Sequence, residues 1–250
     1  MKTDTYLAME SLINCSRKLM HESVEIGTDG DPRFSAWPLD VASWYCRTHI
    51  YSCPEGKEEE TVQELAEGVK SKKLPWLVSI STEDVSDKFV QLLEQAGFVI
   101  RAPQAGMLLE TAAYEEKPLD PHVIMIGEDR IDEWADASSK GFGTRFEKEA
   151  MRGLVKDPSC RFYAYVENDE IIATLMMSYQ PGNAGLHEVA TLKECRGRGA
   201  CKALLNRAFI DAREMGYELM SLQASPLGEP VYRSIGMRVV SHIRTYQLAE

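Results

Sequence analysis

The sequence predicts an α/β protein of the α+β type, with a mixed, largely antiparallel central sheet flanked by helices. Strand-like and helical segments alternate through the second half of the chain, which favours a sheet and helices packed in layers. Asn168-Asp169 lies between two runs of β-forming residues and predicts a tight hairpin, so part of the sheet is antiparallel. An apolar stripe at helical spacing over residues 199–215 predicts a long helix with one buried face.

The first half of the chain is predicted to alternate helices and strands. Apolar residues recur at helical spacing over residues 5–20, whereas residues 25–56 are rich in loop-forming and aromatic residues. The elements predicted after that stretch are a helix over Glu58–Lys70, a strand over Leu74–Ile80, a helix over Asp84–Gln95 that ends before Gly97, and strands near Phe98–Arg101 and Met107–Glu110.

A linker is predicted over residues 112–121, which are polar and contain two prolines. It would separate a first domain, residues 1–111, from a second, residues 122–250. The elements predicted in the second domain are strands over Val123–Ile126, Phe162–Val166, Ile171–Met177, Leu186–Leu192, Glu218–Gln223 and Arg238–Leu248, and helices over Ile131–Ser139, Arg145–Lys156, Gly199–Met215 and Glu229–Ile235.

Composition and charge limit the kinds of molecule that this protein is expected to bind. The 250 residues carry a formal net charge of −11, which disfavours nucleic acid as a partner because the chain and a phosphate backbone repel each other. No stretch approaches the ~20 apolar residues that span a bilayer, and the start of the chain lacks the apolar core of a signal peptide, so no membrane partner is expected. The six cysteines form no CxxC pair, which predicts reduced thiols, no metal site and a cytoplasmic location. The sequence does not indicate an oligomeric state.

The segment from His187 to Cys201 is the strongest candidate for a ligand site. A predicted strand runs into a turn with two glycines, Gly197 and Gly199, and a helix follows. Glycine lets the backbone approach a ligand, and the first amides of a helix favour phosphate or pyrophosphate. An ordinary turn with solvated arginines is the alternative. Local positive charge comes from Arg196, Arg198 and Lys202.

This turn resembles the acetyl-CoA signature of the GNAT (general control-related N-acetyltransferase) superfamily, Gln/Arg-x-x-Gly-x-Gly/Ala. Arg196, Gly199 and Cys201 occupy its three fixed places, and Cys201 departs from the usual Gly or Ala. A thiol at a helix N-terminus is expected to have a lowered pKa, although direct acyl transfer needs no protein nucleophile.

The neighbouring segments resemble the same family in the expected order, over about residues 122–250. Val189–Leu192 is similar to the family's fourth strand, whose main chain pairs with the pantetheine arm of CoA. Leu222–Ser225 and Tyr232–Met237 are similar to its fifth strand and last helix. The resemblance implies acetyl-CoA as co-substrate. The residues that would bind it are Val189, Ala190, Thr191, Arg196, Gly197, Arg198, Gly199, Ala200, Cys201 and Ser225.

Two side chains are candidates for the base that removes a proton from an amine acceptor. An alkyl amine is neutral in only about one molecule per 10³ at pH 7, so attack on a thioester requires such a base. His187 and Glu188 lie on the candidate strand and should point to opposite faces unless a bulge intervenes. The resemblance favours Glu188, acting directly or through water. His187 stays an alternative, and a solvated Glu188 without a catalytic role is another.

Tyr232 is the candidate acid that protonates the departing thiolate. A phenol with a pKa near 10 keeps its proton at neutral pH and can donate it to sulfur. Tyr232 matches the family's acid, four residues before Gly236, and a core aromatic is the alternative reading.

The two halves of the chain resemble each other faintly. Both end in strand, helix, glycine and strand, and aligning Gly97 with Gly236 also aligns Leu109 with Leu248. A tandem GNAT-like fold with a degenerate first copy explains this, and chance is the alternative. The first half has Leu93 at the place of Tyr232 and no Arg-x-x-Gly-x-Gly/Ala turn, so it is expected to bind no CoA. As a degenerate GNAT-like or an accessory domain, it would shape the acceptor pocket or pack as a scaffold.

The sequence therefore predicts an acyl-CoA-dependent N-acyltransferase that moves acetyl from acetyl-CoA to a primary amine in a ternary complex. The acceptor would be a small molecule or a peptide amine. A catalytically silent CoA-binding or interaction module is the main alternative. A related fold using aminoacyl-tRNA is disfavoured by the charge of −11.

Overall fold

The computed structural model describes residues 4, 5, 7, 10, 15, 24–28, 31–36, 47–50, 52–144 and 148–249. The strands within them are β1 (Val24–Thr28), β2 (Asp31–Ala36), β3 (Arg47–Ile50), β4 (Leu77–Ser81), β5 (Phe98–Glu110), β6 (Val123–Ile126), β7 (Cys160–Glu167), β8 (Glu170–Gln180), β9 (Asn183–Thr191), β10 (Leu219–Ala224) and β11 (Arg238–Leu248). The helices are α1 (Glu58–Lys70), α2 (Asp87–Gln95), α3 (Ile131–Phe142), α4 (Lys148–Leu154), α5 (Ala200–Glu214) and α6 (Glu229–Arg233). The predicted mixed, largely antiparallel α/β fold is confirmed.

The chain divides into two compact units, and each takes stretches from both halves of the sequence. The first unit comprises Met1–Met107, Gln223–Glu229 and Val239–Glu250. The second comprises Leu108–Leu222 and Pro230–Arg238. The domain boundaries predicted from the sequence stay a prediction.

The first unit is a mixed sheet with two helices on it. Its strands follow the order β1-β2-β3-β4-β11, in which β3 and β4 are parallel and β11 is antiparallel to β4. Helix α2 begins after Ser86, whose hydroxyl accepts a hydrogen bond from the Phe89 amide. The core between α1, α2 and the strands is a cluster of buried side chains: Ile50, Val62, Leu65, Leu74, Val78, Ile80, Phe89, Leu93, Phe98 and Tyr246.

The second unit follows the strand order β10-β9-β8-β7-β6. Only β9 and β10 are parallel among these neighbours, and the other pairs are antiparallel. The hairpin predicted at Asn168-Asp169 is confirmed, since both residues adopt positive φ, at 48° and 67°. Helices α3 and α5 pack on the sheet, and the buried Trp134 indole donates to the Tyr163 carbonyl at 2.9 Å.

A buried polar cluster fastens the C-terminal part of α5 to the sheet. The Asp211 carboxylate accepts hydrogen bonds from the Tyr163 hydroxyl at 2.6 Å and from Arg207 Nε at 2.7 Å. Arg161 lies 3.5 Å from the same carboxylate. Burial raises the pKa of Tyr163, so its hydroxyl keeps its proton and donates it to Asp211. Removing Asp211 would leave the buried Tyr163 hydroxyl and two half-buried guanidinium groups without this acceptor.

We expect Asp211→Ala to lower the free energy of unfolding by about 3 kcal/mol, because it breaks a buried, hydrogen-bonded charge cluster. Chemical denaturation of the full chain measures this. The control is Glu214→Ala, an exposed position on the same helix, for which we expect a change within about 0.5 kcal/mol. Equal effects of the two substitutions would contradict a structural role for the cluster.

Some element boundaries differ from those predicted. The two strands predicted near Phe98–Arg101 and Met107–Glu110 are one continuous strand, because Pro103 tolerates the extended conformation that joins them. Helix α3 extends to Phe142, three residues beyond its predicted end, and stops at Gly143 in the left-handed conformation. Residues 145–147 of the next predicted helix lie outside the described residues. So does most of the predicted helix over 5–20, although Asp4, Thr5, Leu7, Glu10 and Cys15 are helical.

The two glycines that align between the halves of the sequence, Gly97 and Gly236, occupy matching environments. Gly97 and Gly236 both adopt positive φ, 93° and 97°. A Cβ atom on Gly97 would lie 3.7 Å from Leu248, and one on Gly236 would lie 3.6 Å from Leu109. Each glycine therefore faces the leucine that closes the other half of the sequence. The pattern is what a duplication with exchanged final strands would produce, and the duplication itself stays a prediction.

Candidate functional site

A β-bulge distorts β9 at the candidate base. Thr174 pairs with Ala190 and Met176 with His187, so Leu175 faces both Glu188 and Val189. Glu188 has a φ of 50°, an uncommon value for a residue with a side chain, and the buried Thr174 hydroxyl donates to its carbonyl at 3.1 Å. The bulge breaks the simple two-residue alternation. The opposite-face argument about the two candidate bases therefore does not apply here.

Burial gives the Glu188 carboxyl unusual chemistry. Its pKa is raised to about 8 because the surrounding protein removes water from the charged form. A carboxyl with this pKa is mostly protonated at pH 7, and its deprotonated form, which prevails above pH 8, is a stronger base for an amine than an ordinary carboxylate. His187 is buried as well.

Strands β9 and β10 are joined at one end only. Their register pairs Ala184 with Met220 and Gly185 with Ser221, and Asn183 Nδ2 donates to Ser221 Oγ at 2.7 Å at this closed end. Beyond Gly185, β9 continues to Thr191 without a further partner in β10, as far as the described strands extend. Over Leu186–Thr191, the edge of β9 that faces β10 is therefore not paired with β10 among the described residues, and it is called the open edge of β9 below. An extended ligand can hydrogen-bond to such an edge as an added strand would.

The parallel pair in the first unit has no such opening over its described residues. Strands β3 and β4 are also parallel, but all four residues of β3, Arg47–Ile50, are paired with β4. An extended ligand has no exposed main-chain edge to use between these two strands.

The turn after β9 presents unpaired amides at the start of α5. Gly199 is the N-cap residue, with a φ of 95°, and no side chain caps the helix. Within the described part of the chain, no backbone amide from Gly197 to Lys202 donates to a protein acceptor. A Cβ atom on Gly197 or Gly199 would meet no atom within 4 Å. The helix start is open, and its amides and dipole favour an anion.

The two arginines of the turn are engaged with the protein. Arg196 donates to the Thr191 carbonyl at 3.2 Å and to the Gly141 carbonyl at 3.1 Å, which ties the turn to the end of α3. Arg198 donates to the Glu194 carbonyl at 3.3 Å and lies 3.4 Å from the Glu167 carboxylate. Both guanidinium groups stay largely exposed, so their charge acts on the site while their hydrogen bonds shape the turn.

Gly141 is a residue of this site that the sequence analysis missed. A Cβ atom there would lie 2.8 Å from the Ala190 side chain and 3.4 Å from the Thr191 amide nitrogen. Glycine is required at this place because α3 approaches the backbone of β9 closely. Gly141 lies two residues beyond the helix end predicted from the sequence, so no local pattern marked it.

Cys201 and Tyr232 interact at the start of α5. Burial raises the pKa of the Cys201 thiol to about 11, so the lowering expected from the helix terminus is wrong. Loss of water outweighs the dipole here, and the thiol is a poor nucleophile. Burial and the neighbouring Cys201 also raise the pKa of Tyr232. Tyr232 is 7% exposed, and no hydrogen bond engages its hydroxyl among the described residues.

The remaining predicted residues fall into two groups. Val189, Ala190 and Thr191 lie on the open edge of β9, and Ala200 is the first residue of α5. Ser225 follows β10, and its hydroxyl accepts a hydrogen bond from the Gly228 amide at 3.2 Å within the turn that leads to α6.

Neither a metal-binding cluster nor a bilayer-spanning helix occurs among the described residues. No group of three or more His, Cys, Asp or Glu side chains in the described ranges could hold a metal ion. Among the described helices, none combines the length and the apolarity needed to cross a bilayer.

Comparisons with known proteins agree with this geometry. Residues 126–236 match the acetyltransferase (GNAT) family. The whole chain is similar to the structure of a GCN5-related N-acetyltransferase from Kribbella flavida, with 12% identity, a TM-score of 0.73, and coverage of 98% of this chain and 96% of that one. A GCN5-related N-acetyltransferase from Sphaerobacter thermophilus is 19% identical, with a TM-score of 0.64 and coverage of 90% and 79%. No curated protein sequence matches the chain.

At these low identities, the structural similarity establishes a shared fold. The family match is made on the sequence, and it covers the residues of the site. The matched range contains the bulged strand β9, the glycine turn, α5 and Tyr232. Over residues 126–236, the chain therefore carries a domain of the acetyltransferase (GNAT) family.

Proposed function

We propose that the protein transfers an acetyl group from acetyl-CoA to a primary amine by direct attack. The proposal rests on two features taken together. One is the open edge of β9, and the other is the start of α5, whose amides have no protein acceptor among the described residues. A CoA thioester has both matching parts: a pantetheine arm that forms amide hydrogen bonds and a pyrophosphate. The family match at residues 126–236 supports the same donor.

The proposed chemistry is an acyl transfer in a ternary complex. The neutral amine attacks the thioester carbonyl carbon, so a carbon–nitrogen bond forms. Glu188 takes the proton that the nitrogen must lose, directly or through water. The carbon–sulfur bond then breaks, and Tyr232 donates its phenolic proton to the departing thiolate. Solvent carries the proton from Glu188 back to Tyr232, and the products are the amide and free CoA.

The first test is turnover of acetyl-CoA by the full chain against a panel of amines and peptides with free N-termini. We expect release of free CoA thiol that depends on the acceptor, together with a product heavier by one acetyl group. Binding of acetyl-CoA without turnover by any acceptor would instead indicate a silent CoA-binding module. Absence of binding would remove the proposal.

The second test uses the titration of Glu188. Because the base acts when deprotonated, we expect kcat/KM to rise with pH through an apparent pKa near 8. The acceptor should be an arylamine, which is already neutral, so that its own titration does not obscure the enzyme's. Glu188→Gln should lower kcat/KM about 10²-fold and remove this inflection.

The same substitution should stabilise the fold at alkaline pH. The folded carboxyl has a pKa of about 8 against an ordinary 4.5, so the folded state binds the proton more tightly and stability falls as pH rises between those values. Glu188→Gln should therefore raise the free energy of unfolding at pH 8.5 by about 1–2 kcal/mol. Glu194→Gln, an exposed glutamate in the next turn, is the control. A pH profile of kcat/KM that is unchanged in Glu188→Gln would exclude Glu188 as the base.

A further inference from the structure

The bulge in β9 interrupts the ladder with β8 at Glu188, and a side chain of β8 hydrogen-bonds there. Residues 174–176 of β8 face residues 187–190 of β9, so one residue of β9 is extra. The Thr174 hydroxyl donates to the Glu188 carbonyl at 3.1 Å. A buried backbone carbonyl requires a donor, and Thr174 supplies one at the place where the regular pairing is interrupted.

This contact is enclosed between the sheet and α3. Thr174 pairs with Ala190, and the side chains of directly opposed residues lie on the same face of a sheet. A Cβ atom on Gly141 of α3 would lie 2.8 Å from the Ala190 side chain, so α3 covers that face. Thr174 is fully buried there. A hydrogen bond that is shielded from water is stronger than an exposed one, and it restrains the Glu188 peptide accordingly.

The conformation of Glu188 depends on such restraint. Its φ of 50° lies in the left-handed region, which a residue with a side chain keeps only where the surrounding structure enforces it. If β9 relaxed to regular pairing, its register would change by one residue, and a change of that size turns a side chain to the other face of the sheet. The direction of the Glu188 carboxyl therefore depends on the contacts that hold the bulge.

Exclusion of water sets the proton affinity of Glu188, since burial is what raises the pKa of its carboxyl to about 8. The residues of β8 opposite the bulge do not titrate in this range: Thr174, Leu175 and Met176. The residues that α3 buries do not titrate either: Ile131, Trp134, Ala135, Ala137 and Ser138. The titratable groups of the other packed elements are His187 in β9 and, in α5, Cys201 and Asp211. Cys201 keeps its proton, and Asp211 is bonded to Tyr163. A bulge that opened to water would thus lower the pKa of Glu188.

We propose that Thr174 is a positioning residue for acyl transfer: its hydroxyl holds the Glu188 peptide in the bulged conformation and so directs the Glu188 carboxyl to the amine. The inference rests on the proposed function and adds a residue of β8 to the site. Thr174 contacts neither donor nor acceptor in this scheme, and it acts through Glu188 alone.

The activity test compares Thr174→Val, which keeps the branched shape and removes the hydroxyl, with Thr174→Ser, which keeps the hydroxyl. With an arylamine acceptor, Thr174→Val should lower kcat about tenfold and change KM for either substrate less than about twofold, because the base is misplaced while binding is kept. The inflection of kcat/KM near pH 8 should move down by about one pH unit, because water reaches the carboxyl. Thr174→Ser should behave as the unmodified protein does.

A second measurement needs no turnover. The free energy of unfolding of the full chain should fall from about pH 5 to about pH 8.5, because the folded Glu188 carboxyl binds its proton more tightly than the unfolded one. That fall should be smaller in Thr174→Val, whereas loss of a merely structural contact would lower stability equally at both pH values. Ser138→Ala is the matched control, since Ser138 is buried in α3 and its hydroxyl has no hydrogen-bond partner among the described residues. It should change neither kcat nor the pH dependence.

The outcomes separate this inference from the function on which it rests. If the unmodified protein shows no acceptor-dependent turnover, the proposed function fails, whatever the unfolding measurement shows for Thr174. If it turns over acetyl-CoA, but Thr174→Val keeps both kcat and the pH dependence of unfolding, the assignment of Thr174 is overturned. A Thr174→Ser variant that behaves as Thr174→Val does also overturns it. If the melting temperature shows that Thr174→Val does not fold, Thr174→Cys takes its place, because a thiol is a weak donor of similar size.

Discussion

Gly199→Val is expected to weaken acetyl-CoA binding by more than about 100-fold. Gly199 caps α5 with a φ of 95°, and the space where a Cβ would lie contains no protein atom within 4 Å. A branched side chain would project into the volume above the unpaired amides, where the pyrophosphate is proposed to lie. It would also strain the backbone, because valine disfavours positive φ. Isothermal calorimetry with acetyl-CoA measures the loss.

The control must separate backbone strain from obstruction of the ligand. Gly182 provides it, because its φ is 80°, a Cβ there would also meet nothing within 4 Å, and it lies in the turn between β8 and β9. Gly182→Val should cost similar stability and leave acetyl-CoA affinity within about twofold. If Gly199→Val binds acetyl-CoA as the unmodified protein does, the helix start is not the diphosphate site.

Tyr232→Phe is expected to lower kcat about 10–100-fold while the dissociation constant for acetyl-CoA changes less than about twofold. The phenol is buried, and burial raises its pKa, so it carries its proton throughout the neutral range. The substitution keeps the ring and removes only the donor, so the loss should appear in the departure of the thiolate. Steady-state kinetics with a saturating acceptor, alongside calorimetry, separates the two quantities.

The matched control is Tyr217→Phe, a tyrosine beyond the C-terminal end of α5 whose ring packs near Tyr179. We expect no more than a twofold change in kcat for this variant. Unchanged turnover in Tyr232→Phe, or a loss of acetyl-CoA affinity that accounts for the whole effect, would remove the assignment of Tyr232 as the acid.

The parts of the site that the sequence predicted are those encoded by local pattern. The turn at Gly197 and Gly199 follows from glycine spacing between a strand and an amphipathic helix, and both glycines adopt positive φ. The helix over 200–214 follows from its apolar stripe in the same way. Such features depend on neighbouring residues only, so one sequence is sufficient to infer them.

The parts that it did not predict depend on partners distant in the sequence. The bulge at Glu188 is a mismatch between β9 and β8, where Leu175 faces two residues. The open edge of β9 depends on where its pairing with β10 stops. The raised pKa of Cys201 follows from burial, which the local rule about helix termini does not include. The role of Gly141 likewise requires knowing which strand lies under α3.

The strand that ends the chain has a consequence for how the protein is made. Residues 239–248 of β11 belong to the first unit, in which they pair with β4 through Val78 and Ile80. During synthesis, β4 therefore cannot pair with β11 until more than half of the chain has been added after it. An unpaired strand edge invites association with other chains, and such long-range pairing forms slowly. Deleting β11 would thus leave one edge of β4 unpaired and prone to association, although β4 lies some 160 residues before the deleted strand.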